Sequence, residues 1–287
     1  MSRDSSEVEQ SIRNRPVVGS NPIPGLKLHC MFKWIFKFLF LLLLFYSIYI
    51  IGYTFTVNIS SLKKKNPELT AIMKYRLQKW QKEGKKIRIK KQWVSLNSIS
   101  PYLVKAVLIG EDDKFYQHSG FDLEGIKNAI EKDIKEKKLK YGGSTITQQL
   151  AKNLYLSPSK NPVRKIQEAI ITWRIEKTLS KKRILELYLN IAEWGEGIFG
   201  AEAASRHYFG KSASELTAME AAKLAACLPN PVKYNPSGNS KFVERRANLI
   251  YFIMQKRGII KEEYTETEKE GTAPALKEEE PEDMGKF

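Results

Sequence analysis

Cysteine and histidine are scarce in this sequence, which has two cysteines and three histidines among 287 residues. Two cysteines are too few for a disulfide framework. The histidines have no cysteine or carboxylate at metal-ligand spacing, so the sequence gives no sign of a zinc site. A Walker lysine motif, a dinucleotide-binding glycine pattern and an internal repeat are also missing. These absences argue against zinc enzymes, nucleotide-dependent enzymes and repeat scaffolds.

Positive charge is abundant. The 48 lysines and arginines exceed the 32 aspartates and glutamates and give a net charge of +16. A chain this basic prefers polyanions, such as nucleic acid, an anionic membrane surface or a phosphorylated substrate. The length suits one catalytic domain with appendages, and a hydrophobic content of 42% is enough for a core.

One long apolar run lies near the N-terminus. Residues 38–62 are 25 successive residues without a charge, and about 20 apolar residues suffice to cross a bilayer. The run is longer than a signal-peptide core and lacks an obvious cleavage site, which predicts a retained transmembrane anchor over residues 34–60. A buried helix of a soluble protein is the alternative. Lysines flank the run on both sides, so local charge does not settle which side of the membrane the rest occupies.

The two ends of the chain are expected to be unstructured. Residues 1–30 are polar and interrupted by prolines, which predicts a disordered extension. Part of it resembles a transfer-RNA gene translated by mistake, which suggests the hypothesis that translation starts at Met31. Residues 259–287 are rich in acidic residues and have no hydrophobic period, which predicts a disordered acidic tail.

The part of the chain between anchor and tail is predicted to be mostly helical. Residues 61–90 are expected to form a basic linker, and residues 91–258 a folded domain. A short strand is expected over residues 87–96, where the side chains alternate, and Ser100 and Pro101 should open an apolar helix. Later segments have the periodicity of amphipathic helices with short connections.

The segment GGSTITQQLAKN, residues 142–153, has the chemistry of a phosphate-binding helix start. Its glycines free the backbone, and Ser144 is expected to cap the helix. Ser144, Gln148 and Lys152 then fall on one helical face beside free backbone N–H groups, which suits a diphosphate. Taken alone, a capped surface helix with a polar stripe explains the pattern equally well.

The segment EDDKFYQHSG, residues 111–120, offers a proton acceptor. Three consecutive carboxylates follow an apolar helix, and both their mutual repulsion and their apolar neighbours disfavour ionisation. The pKa of Glu111 could therefore be raised towards neutrality, so that Glu111 acts as a base. A solvated acidic helix end is the alternative.

Two further segments allow a structural and a functional interpretation. In RKIQE, Arg164 and Glu168 lie one helical turn apart with Lys165 beside them, which is equally typical of an ordinary salt bridge. In KKRILELYLN, the apolar residues are expected in the core, with Glu186 and Asn190 on another face. Most of this second segment is predicted to be structural.

These four segments, in this order and spacing, resemble the successive motifs of the peptidoglycan glycosyltransferases, the family that polymerises lipid II. A fifth segment, RRANLIYFIM from Arg245, is similar to the last and weaker motif of that family. The resemblance covers about residues 92–258. It implies a mainly α fold, a lysozyme-like two-lobed glycosyltransferase domain behind one N-terminal transmembrane helix. The larger lobe would surround Glu111, and a smaller, membrane-facing lobe would lie near residues 127–160.

The resemblance also selects a branch of the family. Bifunctional relatives carry a penicillin-binding transpeptidase domain, and here no Lys-Thr-Gly follows the stray Ser-x-x-Lys patterns. The chain is identified as a member of the monofunctional biosynthetic transglycosylases, without transpeptidase activity. Such proteins work at the cytoplasmic (inner) membrane, which implies a single-pass protein with its catalytic domain on the outer, periplasmic face.

The family implies an inverting reaction and a role for each matched residue. The 4-hydroxyl of the acceptor lipid II attacks the anomeric carbon of the growing chain, which builds β-1,4-linked glycan and releases undecaprenyl diphosphate. Glu111 would take the hydroxyl proton. Glu168, the second catalytic carboxylate, would orient nearby cations or help hold a divalent metal, and both roles stay open. The implied substrate contacts are Ser144, Thr145, Gln148, Gln149, Lys152, Arg164 and Lys165, with Lys160 as a further candidate.

The implied partners are lipid II, the growing glycan strand and the membrane, with cell-division or elongation proteins as further candidates and without nucleic acid. The candidate cofactor is a divalent cation, magnesium or manganese, with Asp112 and Glu168 as candidate ligands; no organic cofactor is expected. Two rival functions remain. A lysozyme-like glycan hydrolase could also use Glu111, and a basic membrane protein could bind nucleic acid.

Overall fold

The structure, a computed structural model, describes residues 24–125, 127, 131, 143–158 and 161–260, and of residues 24–30 and 53 the backbone alone. The fold is mainly helical, as the sequence predicted. The α-helices that lie entirely within the described residues are α1 (Pro24–Thr56), α2 (Ala71–Lys82), α3 (Pro101–Glu111), α4 (Ile146–Tyr155), α5 (Pro162–Thr178), α6 (Lys181–Ile191), α7 (Ala201–Phe209), α8 (Ala218–Cys227) and α9 (Lys241–Lys256).

Helix α1 carries the apolar run. The segment Met31–Lys63 is long and apolar enough to cross a membrane, and most of its large apolar side chains are exposed. The helix begins at Pro24, and proline is tolerated in a first helical turn because no N–H is needed there. Residues 24–30 are therefore helical, where the sequence predicted disorder. The earlier part of the predicted extension and the tail from residue 261 lie outside the described residues.

The chain enters the domain directly after α1. Ile59 and Leu62 are buried, and Met73 and Trp80 of α2 belong to the same hydrophobic core. Most lysines of residues 61–90 are exposed, but an apolar face packs inward. This segment is thus part of the folded body, where the sequence predicted a basic linker.

A small three-stranded sheet lies beside the helices. Strand β1 (Lys90–Lys91) is parallel to β3 (Ile198–Phe199), which is antiparallel to β2 (Glu193–Gly195). The strand order is β1-β3-β2. The strand predicted over residues 87–96 is therefore reduced to two residues.

Backbone N–H groups of the residues that follow β1 donate hydrogen bonds to side chains of α6. The Val94 N–H donates to the Asn190 amide oxygen at 2.9 Å, and the Leu96 N–H donates to the Glu186 carboxylate at 3.1 Å. Glu186 and Asn190 share a face of α6, as predicted. Both have the structural role expected for most of that segment, since they fix the chain that leads into α3.

Helices α3, α8 and α9 pack closely against one another. Helix α8 is lined by fully buried alanines, and small side chains let neighbouring helices approach. Gly110 continues this close packing in α3: a Cβ there would lie 3.3 Å from Ile250 Cδ1 of α9 and 4.0 Å from Ala225 Cβ of α8. The C-terminal end of α3 is therefore pressed against α9. The buried alanines are Ala221, Ala222, Ala225 and Ala226.

Helix α4 is the central helix of the remaining half. It packs against α2, α5 and α6, and Ile146, Leu150 and Ala151 are fully buried in it. Of the smaller lobe predicted near residues 127–160, much lies outside the described residues. Helix α4, which falls within that range, packs against α5, and both helices carry predicted site residues.

Candidate active site

Glu111 ends α3 in a nearly closed environment, with 10% of its side-chain surface exposed. Its carboxylate accepts a hydrogen bond from the Gln149 amide, Nε2 to Oε2 2.8 Å, and lies 3.5 Å from Arg246 Nη2. Burial raises the pKa of Glu111, and the Gln149 hydrogen bond and the charges of Arg246 and Lys152 offset only part of that rise. Glu111 is thus biased towards taking up a proton, as a general base requires.

Gln149 is itself held by Tyr188 of α6. The Tyr188 hydroxyl donates to the Gln149 amide oxygen at 3.1 Å, which leaves the amide nitrogen to donate to Glu111. Burial raises the pKa of Tyr188 well above its ordinary value, so the hydroxyl keeps its proton at physiological pH. Gln149, predicted as a substrate contact, is in this structure the residue that orients Glu111.

Asp112 connects the loop that follows Glu111 with the start of α4. Its Oδ2 accepts the backbone N–H of Ile146 at 2.9 Å, at the start of α4. Its Oδ1 lies 2.8 Å from His118 Nε2. His118 Nδ1 accepts the Gly120 N–H at 3.1 Å, so Nε2 carries the proton and donates to Asp112. The loop after Glu111 and the N-terminus of α4 are thereby fixed to each other.

Thr145 caps α4, where the sequence predicted Ser144. The Gln148 N–H donates to the Thr145 hydroxyl oxygen at 3.2 Å, and the Thr145 N–H donates to the Gln148 side-chain oxygen at 2.9 Å. This reciprocal capping box places the helix start one residue later than expected. Thr145 and Gln148 are both buried. Thr145 and Gln148, both predicted as substrate contacts, therefore stabilise the start of α4.

A cluster of cations surrounds Glu168 on α5. This buried carboxylate accepts hydrogen bonds from Arg164 Nη1 at 2.7 Å and from Lys165 Nζ at 2.5 Å. Lys165 Nζ also lies 3.4 Å from the Ser144 hydroxyl. The predicted pairing of Arg164 with Glu168 is confirmed, and the burial of Glu168 distinguishes it from an ordinary surface salt bridge.

Lys152 of α4 connects this cluster with Glu111. Burial lowers the pKa of Lys152; the negative charge of Glu168 opposes that shift, and the positive charges of Arg164 and Lys165 add to it. Glu111 is close enough to raise the same pKa. Arg164 and Lys165 thus contact one buried carboxylate, and Lys152 lies within electrostatic range of both that carboxylate and the candidate base. Such a concentration of positive charge attracts an anion.

The sequence profile of a family described as Transglycosylase matches residues 79–255. The chain belongs to the transglycosylase family. A biosynthetic peptidoglycan transglycosylase of Nitrosospira multiformis is 46% identical over 194 residues, which is 68% of this chain and 84% of the relative. One of Methylobacillus flagellatus is 49% identical over 185 residues, 64% of this chain and 81% of the relative. One of Aromatoleum aromaticum is 52% identical over 169 residues, 59% of this chain and 74% of the relative.

Family membership confirms the resemblance found in the motifs and the enzyme class it implied, a glycosyltransferase. The match to the transglycosylase profile spans Glu111, the α4 and α5 segments and Arg246. It begins within α2, which agrees with the finding that α2 belongs to the folded body.

The predicted metal ligands of the transglycosylase domain are already engaged. Asp112 holds His118 and the start of α4, and Glu168 holds Arg164 and Lys165. Within the described ranges, no group of three or more histidine, cysteine or acidic side chains is placed to hold a metal ion. These residues do not fit a metal centre built by the protein alone, and the divalent cation stays a prediction. Lys160 lies outside the described residues.

Three residues of the transglycosylase site were not assigned from the sequence. Arg246 contacts Glu111, Tyr188 orients Gln149, and His118 supports Asp112. A signal existed for each of them, because all three lie in segments that carry the family resemblance. What the sequence could not show is which residue within each segment turns towards the site.

Proposed function

We propose that this chain polymerises lipid II into β-1,4-linked glycan strands by inverting transfer and releases undecaprenyl diphosphate. The observation that carries the proposal is the juxtaposition of Glu111, a buried carboxylate of raised pKa, with the cations Lys152, Arg164 and Lys165. A base and an anion-binding region side by side are what this transfer requires. The names of the relatives, biosynthetic peptidoglycan transglycosylases, support the same activity.

Glu111 acts as the general base. The 4-hydroxyl oxygen of the acceptor lipid II attacks the anomeric carbon of the growing chain while its proton passes to Glu111. The bond between the anomeric carbon and the diphosphate oxygen breaks, and the electron pair leaves with the diphosphate. Burial raises the pKa of Glu111, and the Gln149 hydrogen bond, which also orients the carboxylate, and the Arg246 charge oppose that rise.

The three cations stabilise the leaving group. A diphosphate departs as an anion, so charge stabilisation matters more than protonation by an acid. A glycosidase differs, since its alkoxide leaving group needs a general acid. Lys152 and Lys165 bring ammonium groups, and Arg164 brings a planar guanidinium suited to phosphate oxygens.

Glu168 positions the cations. Its two oxygens hold Arg164 and Lys165, which otherwise would repel each other and Lys152. This geometry favours the orienting role over a metal-binding role among the two that the sequence left open. No step of the reaction proposed here runs through a metal ion.

The proposed setting is the outer, periplasmic face of the cytoplasmic membrane, because lipid-linked peptidoglycan precursors are polymerised there. The single apolar helix α1 supports attachment to the membrane. Absence of transpeptidase activity, and contacts with cell-division or elongation proteins, stay predictions.

A polymerisation assay with purified lipid II tests the proposal. The wild-type chain should consume lipid II and leave preformed glycan strands intact, whereas a hydrolase would shorten the strands. Glu111→Gln should reduce polymerisation by about 10²–10⁴-fold, the usual contribution of a positioned base, while lipid binding survives. Asp113→Asn is the matched control, because Asp113 is the neighbouring carboxylate, half-exposed and paired with Arg257. Glycan formation at the normal rate by folded Glu111→Gln would reject the assignment.

A further inference from the structure

Arg174 joins the membrane helix to the helix that carries the cations. From α5, its guanidinium donates to the Thr54 carbonyl and, at 3.0 Å, to the Val57 carbonyl. It also lies over the Phe55 ring, 5.2 Å from the ring centroid. Thr54 belongs to the last turn of α1, where carbonyls have no partner inside the helix and a cation is favoured by the helix dipole. Arg174 thus caps α1 from a different helix.

The chain around this contact is packed on both sides. Thr54 is fully buried, although most of the large apolar side chains of α1 are exposed. Val57 packs against the hydrophobic core, and Ile59 is part of it. The apolar helix therefore passes into the core within a few residues, and its end is packed against α5.

Helix α5 extends from the contact between Arg174 and the end of α1 to the cations Arg164 and Lys165. Arg164 and Lys165 lie in its first turn, and Arg174 follows Arg164 by ten residues, or about 15 Å along a helix axis. A rigid helix thus has the cations near one end and the end of the membrane helix held near the other. With α1 in the bilayer, as the proposed function implies, the position of α5 determines the height of Arg164 and Lys165 relative to the membrane.

We propose that Arg174 is a positioning residue, which sets the cation cluster at the height of the diphosphate of a substrate anchored in the same bilayer. The inference rests on the proposed function. Arg174 contacts neither the cluster nor Glu111, and it acts through the placement of α5. Substitution of Arg174 should then lower the rate on a substrate whose diphosphate is held near the membrane by its lipid tail. The rate on a substrate that diffuses freely to the site should change little.

The test compares two substrates on the full chain reconstituted into liposomes. One is lipid II with its long polyprenyl tail in the same bilayer, and the other is a water-soluble short-chain analogue. Arg174→Ala should lower the initial rate on the bilayer substrate about tenfold or more, since small misplacements are costly, and change the rate on the soluble analogue less than about twofold. Arg174→Lys should restore part of the loss, because an ammonium can still bind one carbonyl.

Lys177→Ala is the matched control, because Lys177 is an exposed cation on the same helix; it should leave both rates unchanged. Hydrogen exchange of the amides of residues 54–62 should be faster in Arg174→Ala than in the wild type. If Arg174→Ala fails to fold, Arg174→Gln serves in its place. Equal losses on both substrates, or no loss on the bilayer substrate, would overturn the inference. Wild-type protein that consumes neither substrate would instead refute the proposed function, and the inference with it.

Discussion

The Arg246 guanidinium lies 3.5 Å from the Glu111 carboxylate, although 135 residues separate the two in sequence. Arg246 also donates to the Gly110 carbonyl at 2.8 Å, so its position is fixed by the backbone of α3. The positive charge lowers the pKa of Glu111 and opposes the larger effect of burial. Arg246 therefore favours the ionised form of Glu111, the proposed base.

Arg246→Ala should shift the acidic limb of the pH profile for kcat/KM to higher pH. Removal of the opposite charge leaves burial less opposed, so the pKa of Glu111 rises further and the ionised base is populated only at higher pH. Lipid II polymerisation measured across pH gives the limb directly. Arg245→Ala, an exposed arginine on the same helix, should leave the limb in place. A shift towards acid in Arg246→Ala would contradict the assignment.

Lys152→Arg should move the alkaline limb of the same profile to higher pH. The pKa of Lys152 is lowered mainly by burial, so its charge is lost at lower pH than that of an ordinary lysine. Arginine stays charged throughout the accessible range. Because the guanidinium differs in shape, the maximal rate should fall as well, and the position of the limb is the quantity to compare. An unchanged alkaline limb would mean that Lys152 does not control it.

Tyr188→Phe should lower kcat about tenfold with a stability loss of about 1 kcal/mol, the size of one hydrogen bond. Without the hydroxyl, Gln149 loses the partner that fixes its amide orientation towards Glu111. Steady-state kinetics and urea unfolding separate the two effects. Tyr208→Phe is the control, since the Tyr208 hydroxyl bonds the Trp194 carbonyl, and it should affect stability alone. Similar kcat values for the two variants would argue against the orienting role.

Glu111→Gln should unfold at a higher temperature than the wild type at neutral pH. The folded state raises the pKa of Glu111 above its ordinary value of 4.5, so its ionised form opposes folding. This cost is absent below pH 4.5 and grows as pH rises through the folded-state pKa, so the gain should vanish in acid. Asp113→Asn should instead unfold at a lower temperature than the wild type at neutral pH, since the Arg257 hydrogen bond lowers the pKa of Asp113 and its ionised form favours folding. Thermal unfolding over a pH series measures both.

Glu168→Gln should reduce polymerisation by about 10²-fold, a loss of about 2.7 kcal/mol in transition-state stabilisation, and added magnesium or manganese should not restore it. The reason is that Arg164 and Lys165 lose the charge that holds them together. Rate measurements with each cation and with a chelator decide between the two roles of Glu168. Recovery at high metal concentration would favour metal binding instead.

The sequence predicted the local features of this protein well. The start of α3 at Pro101 and the buried apolar face of α6 follow from periodicity and helix-start residues. The raised pKa of Glu111 and the pairing of Arg164 with Glu168 could be predicted, because the neighbouring residues within one helical turn already indicate them.

The errors concern contacts that local patterns do not encode. Thr145 rather than Ser144 caps α4. Two hydrogen bonds stabilise this helix start: the Thr145 N–H donates to the Gln148 side-chain oxygen, and the Thr145 hydroxyl donates to the Gly120 carbonyl, which is distant in sequence. Residues 61–90 pack into the domain through a few apolar side chains that a basic composition conceals. The Arg246 contact requires α3 and α9 to meet, which only the folded chain shows.

The small residues between α3, α8 and α9 have a consequence for how related enzymes can diverge. A Cβ added at Gly110 would lie 3.3 Å from Ile250 Cδ1 of α9, a tight contact, and at ordinary contact distance from Arg246 Nη2 and Ala225 Cβ. A side chain at Gly110 would therefore press on Ile250 of α9, the helix that also carries Arg246 and its contact with Glu111. The pKa of Glu111 thus depends on how α3 and α9 pack as well as on its direct contacts, and we expect substitution of Gly110 to change the pH range in which the enzyme works.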